Sequence, residues 1–246
     1  MLPAYFTMGI VIRRPRKELR LETQLEASVW KWLRGLAEIT VDQFQTPWGI
    51  ADLFAVKCDI DRVLMRRDLE QDVASTSDQD VMVLLAIPEL TSVERTDERR
   101  LAKKFSYLLG EAKVRSIIAA LKRRKLINVN ADGAICRNTP WLPFHKQMWA
   151  VELKLQRVDE ALAQAKRHLK ITPYSYVGLP PQIAERTAIS AKSKDFRESG
   201  VGLLSISATE CSTLIEPAGK QACVDPVYAI AAAERCWGAY LKTIKH

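Results

Sequence analysis

The chain has 246 residues, a formal net charge of +8 at pH 7 and a pI near 9.3. An apolar fraction of 48% and a charged fraction of 27% are typical of a globular chain, and ten Gly and eleven Pro exclude a collagen-like or linker-like composition. No stretch approaches the ~20 apolar residues of a membrane span, so we expect no membrane partner. Apolar residues precede the N-terminal basic cluster, which is the reverse of a secretory signal, so a cytoplasmic location is expected.

Cysteine and histidine usage limits the chemistry. The five cysteines are scattered without a CxxC pair, which argues against a disulfide framework and a zinc knuckle. The three histidines, His145, His168 and His246, form no ligand cluster in the sequence. A metal site, if the chain has one, should therefore use oxygen ligands.

The first predicted elements are a helix and two strands. An apolar stripe at helical spacing predicts an amphipathic helix over 18–36. Residues 38–45 and 50–57 read as strands, separated by a Pro-Trp-Gly turn at 47–49. Asp52 interrupts the second strand, although strand interiors are depleted in Asp. It is either an edge residue facing water or a functional group.

The region 58–145 differs in character and is mostly helical. Its sequence predicts three helices and then a hairpin, at 78–87, 98–107, 112–126 and around Asp132-Gly133. This order resembles a winged helix-turn-helix, whose third helix is the recognition helix. The resemblance implies a DNA-binding module. Winged helices also serve as protein-docking modules, and that alternative stays open.

Positive charge is concentrated in this region. Between Glu98 and Lys125 there are ten basic and two acidic residues, so this segment alone carries the net charge of the whole chain. Such a patch favours a polyanion partner, although a solvated lysine-rich face is the alternative. The candidate DNA-binding residues lie on the second and third helices: Lys103, Lys104, Arg115, Lys122, Arg123 and Arg124.

The remainder of the chain alternates strands and helices. Strands are predicted at 148–155, 174–179 and 201–207, and helices at 157–170, 180–198 and 226–244. In the first of these strands, Glu152 and Lys154 share one face. The last helix has an apolar face, which could form a homodimer or pack on its own domain.

The order and the polar residues of these elements resemble the PD-(D/E)XK nuclease superfamily. Glu152-Leu153-Lys154 matches the E-x-K motif at the end of a core strand, and Asp52 matches the acid of the preceding strand. Gln164 matches the glutamine of the following helix, and Glu22 the first-helix glutamate of some families, with Glu26 as its alternative. Relatives more often have a short hairpin where this chain has the region 58–145.

The resemblance implies roles for these residues. Asp52 and Glu152 would be the principal ligands of Mg²⁺ or Mn²⁺, with the Leu153 carbonyl as a third oxygen and Glu22 at a second ion. Lys154 would polarise the attacking water and offset phosphate charge. Gln164 would orient Lys154 or a bound water.

The resemblance also implies the overall organisation. The expected fold is α/β, with a restriction-endonuclease-like mixed sheet flanked by helices, formed by 1–57 and 146–246, and with 58–145 as an inserted winged-helix domain. The implied function is that of a metal-dependent DNA endonuclease acting on duplex DNA. A DNA-binding regulator on the same scaffold, without turnover, is the alternative. The sequence does not separate DNA from RNA with certainty.

Overall fold

The protein has an α/β fold in which helices flank a mixed sheet. The computed structural model describes residues 10–12, 23–71, 77–137, 143–219 and 224–244. The strands in these residues are β1 (Ile10–Ile12), β2 (Ile39–Thr46), β3 (Gly49–Cys58), β4 (Thr96–Asp97), β5 (Ile127–Val129), β6 (Ala134–Arg137), β7 (His145–Leu153), β8 (Tyr174–Leu179), β9 (Gly202–Ile206) and β10 (Cys211–Ile215). The helices are α1 (Thr23–Arg34), α2 (Ile60–Asp68), α3 (Asp78–Leu85), α4 (Glu98–Leu109), α5 (Glu111–Arg123), α6 (Val158–His168), α7 (Pro181–Ile189), α8 (Lys192–Ser199) and α9 (Pro226–Ile244).

Within the described part of the chain the larger sheet has seven strands, in the order β1-β2-β3-β7-β8-β9-β10. Its middle is an antiparallel run in which β3 pairs with both β2 and β7. β7, β8 and β9 are parallel, and the helical crossovers between them cover the sheet. The carboxyl ends of β7 and β8 therefore lie at the same edge of the sheet as the start of β3.

The two faces of this sheet carry different helices. Helix α1 packs on one face, where Leu53, Val151 and Tyr176 are buried beneath it. Helices α6, α7, α8 and α9 cover the other face, over side chains that alternate with the first set, such as Phe54 and Ala150. Since Glu152 has the same parity as Ala150 on β7, its side chain points toward the α6 face.

A smaller unit lies between β3 and β7. Helices α3, α4 and α5 enclose an apolar cluster that includes Leu84, Leu101 and Ile118. The strands β4, β6 and β5 form a three-stranded antiparallel sheet beside these helices. The hairpin turn at Asp132-Gly133 is present, with Gly133 at a φ of 80°, which glycine adopts without strain.

Helix α9 joins this unit to the large sheet. Its side chains Ala232, Cys236 and Trp237 pack against the sheet, whereas Ile230 and Ala231 pack into the cluster of α3, α4 and α5. The apolar face that the sequence offered for a homodimer is thus buried within the chain. The second reading of that face, packing on its own molecule, is the correct one.

Most expected elements are present, but some boundaries differ from the expectation and four elements were not expected. The helix expected over 180–198 is two helices, because Ser190 and Ala191 separate α7 from α8. The expected strand over 148–155 ends at Leu153, so Lys154 lies just beyond β7. β1, α2, β4 and β10 were not predicted.

Candidate functional site

A row of polar residues crosses the middle of the large sheet. In the β3–β7 register Leu53 pairs with Val151, and continuing that register by one residue sets Asp52 opposite Glu152. The β2–β3 register likewise sets Gln43 opposite Asp52. Strand pairing therefore brings together two acids that are one hundred residues apart in the sequence.

The carboxylate of Asp52 is held from both sides. Its Oδ2 accepts a hydrogen bond of 2.8 Å from the backbone N–H of Leu153, and its Oδ1 accepts one of 3.1 Å from Gln43 Nε2. Asp52 is half-buried. These two bonds use about half of the lone-pair sites of an ionised carboxylate, so the group keeps acceptor capacity for a cation.

Gln43 is a residue of this site that the sequence analysis missed. Its φ is 45°, in the left-handed region that non-glycine residues rarely adopt. The alternation of β2 breaks there, because Val41 and Phe44, three residues apart, are buried in the same cluster. A backbone angle leaves no mark in the sequence, so no sequence signal identified this residue.

The side chain of Glu152 is enclosed rather than open to solvent. Glu152 is 1% exposed, and its Oε1 lies 3.0 Å from Nε2 of His168 on α6. Burial lowers the pKa of His168 to about 4, against a smaller opposing effect of the Asp52 charge. The Glu152–His168 contact therefore joins β7 to α6 in the interior of the protein.

His168 is the second residue that the sequence analysis missed. A signal for it existed, since His168 follows Gln164 by four residues and so shares its face of α6. The spacing of the histidines among themselves carries no such signal. The informative spacing is the four residues between Gln164 and His168 on α6.

Lys154 lies just beyond the carboxyl end of β7, and Gln164 lies on α6. The backbone N–H of Lys154 donates to Gly178 O at 3.1 Å, which extends the β7–β8 pairing one residue beyond β7. No ion pair joins Lys154 to another residue that the structure describes. Gln164 is half-buried, and its Oε1 is buried without a hydrogen-bond partner in the described ranges.

The resemblance implies an acid on the first helix, Glu22 or its alternative Glu26. Glu22 lies outside the described residues. Its alternative, Glu26, is half-buried on α1, which covers the sheet face opposite to the one that Glu152 faces. The described geometry thus sets Asp52 opposite Glu152, while Glu26 belongs to the helix that packs on the other face of the sheet.

The candidate site offers oxygen donors, which hard cations such as Mg²⁺ prefer. Asp52 and Glu152 supply carboxylate oxygens, and the buried, unpartnered Oε1 of Gln164 adds an oxygen on the same helix face as His168. Among the described residues there is no group of three or more His, Cys, Asp or Glu side chains that could hold a metal ion. Mg²⁺ often takes only one or two carboxylates and completes its shell with water and substrate phosphate, so this set is compatible with such a site.

The basic residues divide into two groups. Arg115 pairs with Glu98 at 3.5 Å and Glu111 at 3.3 Å, and Arg124 pairs with Asp80 at 2.9 Å. The remaining candidates are exposed and form no ion pair with any residue in the described ranges: Lys103, Lys104, Lys122 and Arg123. Lys104 lies over the ring of Phe105. Together with Arg99 and Lys113, which are also exposed and without an ion pair in the described ranges, these four side chains carry the uncompensated positive charge of α4 and α5.

Comparison with known proteins assigns no family. No family model matches the chain, and no curated protein matches it. One solved structure, a protein of unknown function from Silicibacter pomeroyi, is 16% identical with a TM-score of 0.28. The match covers 40% of this chain and 60% of that one. No helix in the described residues is long and apolar enough to cross a membrane.

Proposed function

We propose that the protein is a metal-dependent nuclease that hydrolyses phosphodiester bonds in DNA. The observation that carries this proposal is the 2.8 Å hydrogen bond from the Leu153 N–H to Asp52. It joins the interrupting acid of β3 to the Glu152-Leu153-Lys154 segment. The resemblance to PD-(D/E)XK nucleases required this juxtaposition, and nothing in local sequence propensity imposes it.

The chemistry follows from the residue types. Asp52 and Glu152 would hold Mg²⁺ or Mn²⁺, with the Leu153 carbonyl as a further oxygen ligand. When bound, the ion supplies Lewis-acid stabilisation of phosphate charge and a water of lowered pKa. Lys154 offsets negative charge on the phosphate and orients the attacking water, and Gln164 presents its amide to the same region.

The region between β3 and β7 is proposed as the DNA-binding module. After α2, its order of three helices, with a short strand before the second and a hairpin after the third, resembles a winged helix-turn-helix and supports this proposal. We assign α5 as the recognition helix. Lys103, Lys104, Lys122 and Arg123 would contact phosphates, because protein carboxylates do not already neutralise them.

A cleavage assay tests the catalytic part of the proposal. Supercoiled plasmid, linear duplex, single-stranded DNA and RNA are incubated with the protein in Mg²⁺, in Mn²⁺ and in EDTA. Metal-dependent cutting of DNA should fall at least about 100-fold in the Asp52→Asn and Lys154→Ala variants, with DNA binding retained. Lys57→Ala is the matched control, because Lys57 is an exposed lysine on β3 remote from the start of that strand. Equal cutting by all three variants would refute the assignment.

The salt dependence of binding tests the module. Replacing Lys122 and Arg123 by Gln should reduce the slope of log affinity against log salt by about 0.9 for each lost phosphate contact. Lys194→Gln on α8 is the control and should leave the slope unchanged. Arg115 and Arg124 variants should change it less, since their charges are already paired. An unchanged slope in the double variant would exclude these residues from the interface.

A second candidate function rests on one specific observation. Glu152 is 1% exposed and in contact with a buried histidine, and the described residues contain no group of three or more His, Cys, Asp or Glu side chains that could hold a metal ion. This arrangement favours a DNA-binding protein on a nuclease scaffold without turnover. Calorimetric titration with Mn²⁺ separates the two, because an absence of binding in the parent protein would favour the regulator.

A further inference from the structure

The pair of Glu152 and His168 is the most enclosed polar contact of the candidate site. Glu152 is 1% and His168 2% exposed, and their Oε1 and Nε2 atoms are 3.0 Å apart. The two residues lie on different elements, β7 and α6, so the contact depends on how α6 packs on the sheet. Ser175 fixes part of this packing, since its hydroxyl donates to Ala165 O of α6 at 2.8 Å.

The tautomer of His168 follows from its surroundings. Whether an imidazole carries one N–H or two, a buried ring places an N–H where an acceptor is available. Nδ1 of His168 is buried without a hydrogen-bond partner among the described residues, whereas Nε2 faces the Glu152 carboxylate. Nε2 therefore carries a proton, and His168 donates it to Glu152.

Gln164 strengthens the connection with the candidate site. It lies one turn before His168 on α6, about 5–6 Å away between Cβ atoms, and its Oε1 is buried and unpartnered in the described ranges. Two polar side chains one turn apart on α6 thus have buried polar atoms, and one of them contacts Glu152. A helix that only packed on the sheet would present apolar side chains there.

We propose that His168 is a positioning residue that holds the Glu152 carboxylate in the orientation needed for metal binding. The inference rests on the proposed nuclease function and names a residue that the resemblance does not supply. Groups that hydrogen-bond to a metal-ligating side chain fix its orientation, and their loss typically weakens metal binding about 10–100-fold. If His168 only satisfied a buried acid, its loss would lower stability without changing the metal affinity of the folded protein.

The first experiment measures Mn²⁺ affinity by calorimetry in four proteins: the parent, His168→Gln, His168→Leu and His145→Gln. The glutamine amide can donate from about the position of Nε2, so His168→Gln should stay within about threefold of the parent. His168→Leu removes the donor and should bind about 10–100-fold more weakly. His145→Gln is the matched control, a partly buried histidine on the same strand as Glu152 that makes no contact with it.

Three outcomes overturn the inference, and they are distinguishable. Equal affinity in the parent and His168→Leu would refute the positioning role and leave the nuclease proposal standing. No Mn²⁺ binding in the parent would refute the nuclease proposal, and this inference with it. A ¹⁵N spectrum of the metal-free parent that shows the proton of His168 on Nδ1 would refute the inference without any metal.

A variant that does not fold needs a substitute. If His168→Leu is unfolded by circular dichroism, His168→Asn takes its place, because its shorter amide reaches about the position of Nδ1 and not that of Nε2. Affinity retained in His168→Gln and lost in His168→Asn would support the inference. The reverse order would overturn it.

Discussion

The ion pair between Arg66 and Glu234 offers the sharpest test of how the protein is held together. Arg66 lies on α2 and Glu234 on α9, and their side chains are 2% and 1% exposed. The guanidinium makes two bonds to the carboxylate, of 2.6 and 3.1 Å, and lies 5.5 Å from the centre of the Phe144 ring. It also donates to Gln71 O at 3.4 Å.

The magnitude depends on which partner is removed. Replacing either residue alone by Met leaves an uncompensated buried charge, which costs about 3–5 kcal/mol. Replacing both removes both charges and fills a similar volume with apolar atoms, and such exchanges are often neutral or stabilising. We therefore expect Arg66→Met and Glu234→Met each to lower the free energy of unfolding by about 3–5 kcal/mol. The double variant should have a free energy of unfolding within about 1 kcal/mol of the parent's, or higher.

Urea unfolding at pH 7, followed by circular dichroism, measures these free energies. For a chain of this size 1 kcal/mol shifts Tm by about 2–4 °C, so each single variant should melt on the order of 10 °C below the parent. The coupling free energy of the double-mutant cycle should be about 3 kcal/mol or more. Single variants that lose less than about 1 kcal/mol, or a double variant that loses the sum of both, would refute the reasoning.

Three further predictions concern the rest of the molecule. Burial lowers the pKa of His145 to about 4, so its contribution to stability is fully present above pH 6.5 and declines between pH 6.5 and 4. Burial lowers the pKa of His168 in the same way and adds a separate loss. By urea unfolding, the stability lost from pH 7 to 5 should therefore be smaller by about 2 kcal/mol in His145→Gln than in the parent, and equal losses in the two proteins would contradict this role of His145. A Cβ at Gly178 would lie 2.8 Å from Leu153 Cδ2, so Gly178→Ala should cost about 1–3 kcal/mol and weaken Mn²⁺ binding, and an unchanged Tm would contradict the close packing. Asp97 caps α4 through its side chain, so Asp97→Ala should cost about 1 kcal/mol, whereas Ser77→Ala at α3, whose side chain makes no cap bond, should cost less than half of that.

Helices and strands whose apolar residues recur at regular helical or strand spacing were predictable from the sequence, and those without such a pattern were not. Helix α2 shows why, because two of its buried positions are Val63 and Arg66. A buried arginine reads as a solvated residue in the sequence. Its partner Glu234 is 168 residues away, so no local pattern could identify the helix face. Strand β10 was not predicted for another reason. It has five residues at one end of the sheet, and only the last of them, Ile215, is buried.

The candidate site likewise contains some residues that the sequence could predict and others that it could not. Asp52 and Glu152 were predictable as neighbours, because each lies in a strand with a clear pattern and the resemblance fixes their pairing. Gln43 was not predictable, because its contribution depends on a left-handed backbone angle inside a strand. The contact of His168 with Glu152 depends on how closely α6 packs on the sheet, and residue spacing alone does not determine that distance.

Asp52 has a structural role as well as the proposed chemical one, and the two can be separated. The β3–β7 pairing ends at Leu53, and the Asp52 carboxylate then accepts the Leu153 N–H. In Asp52→Asn the remaining oxygen can still accept that N–H, and a flipped Gln43 amide can accept from the new NH₂ group. Asp52→Ala instead leaves the Leu153 N–H without its acceptor, which costs about 1–3 kcal/mol. A Tm close to that of the parent in Asp52→Asn, together with lost Mn²⁺ affinity, would therefore assign the charge to metal binding, whereas equal Tm losses in both variants would show that the carboxylate chiefly closes the sheet.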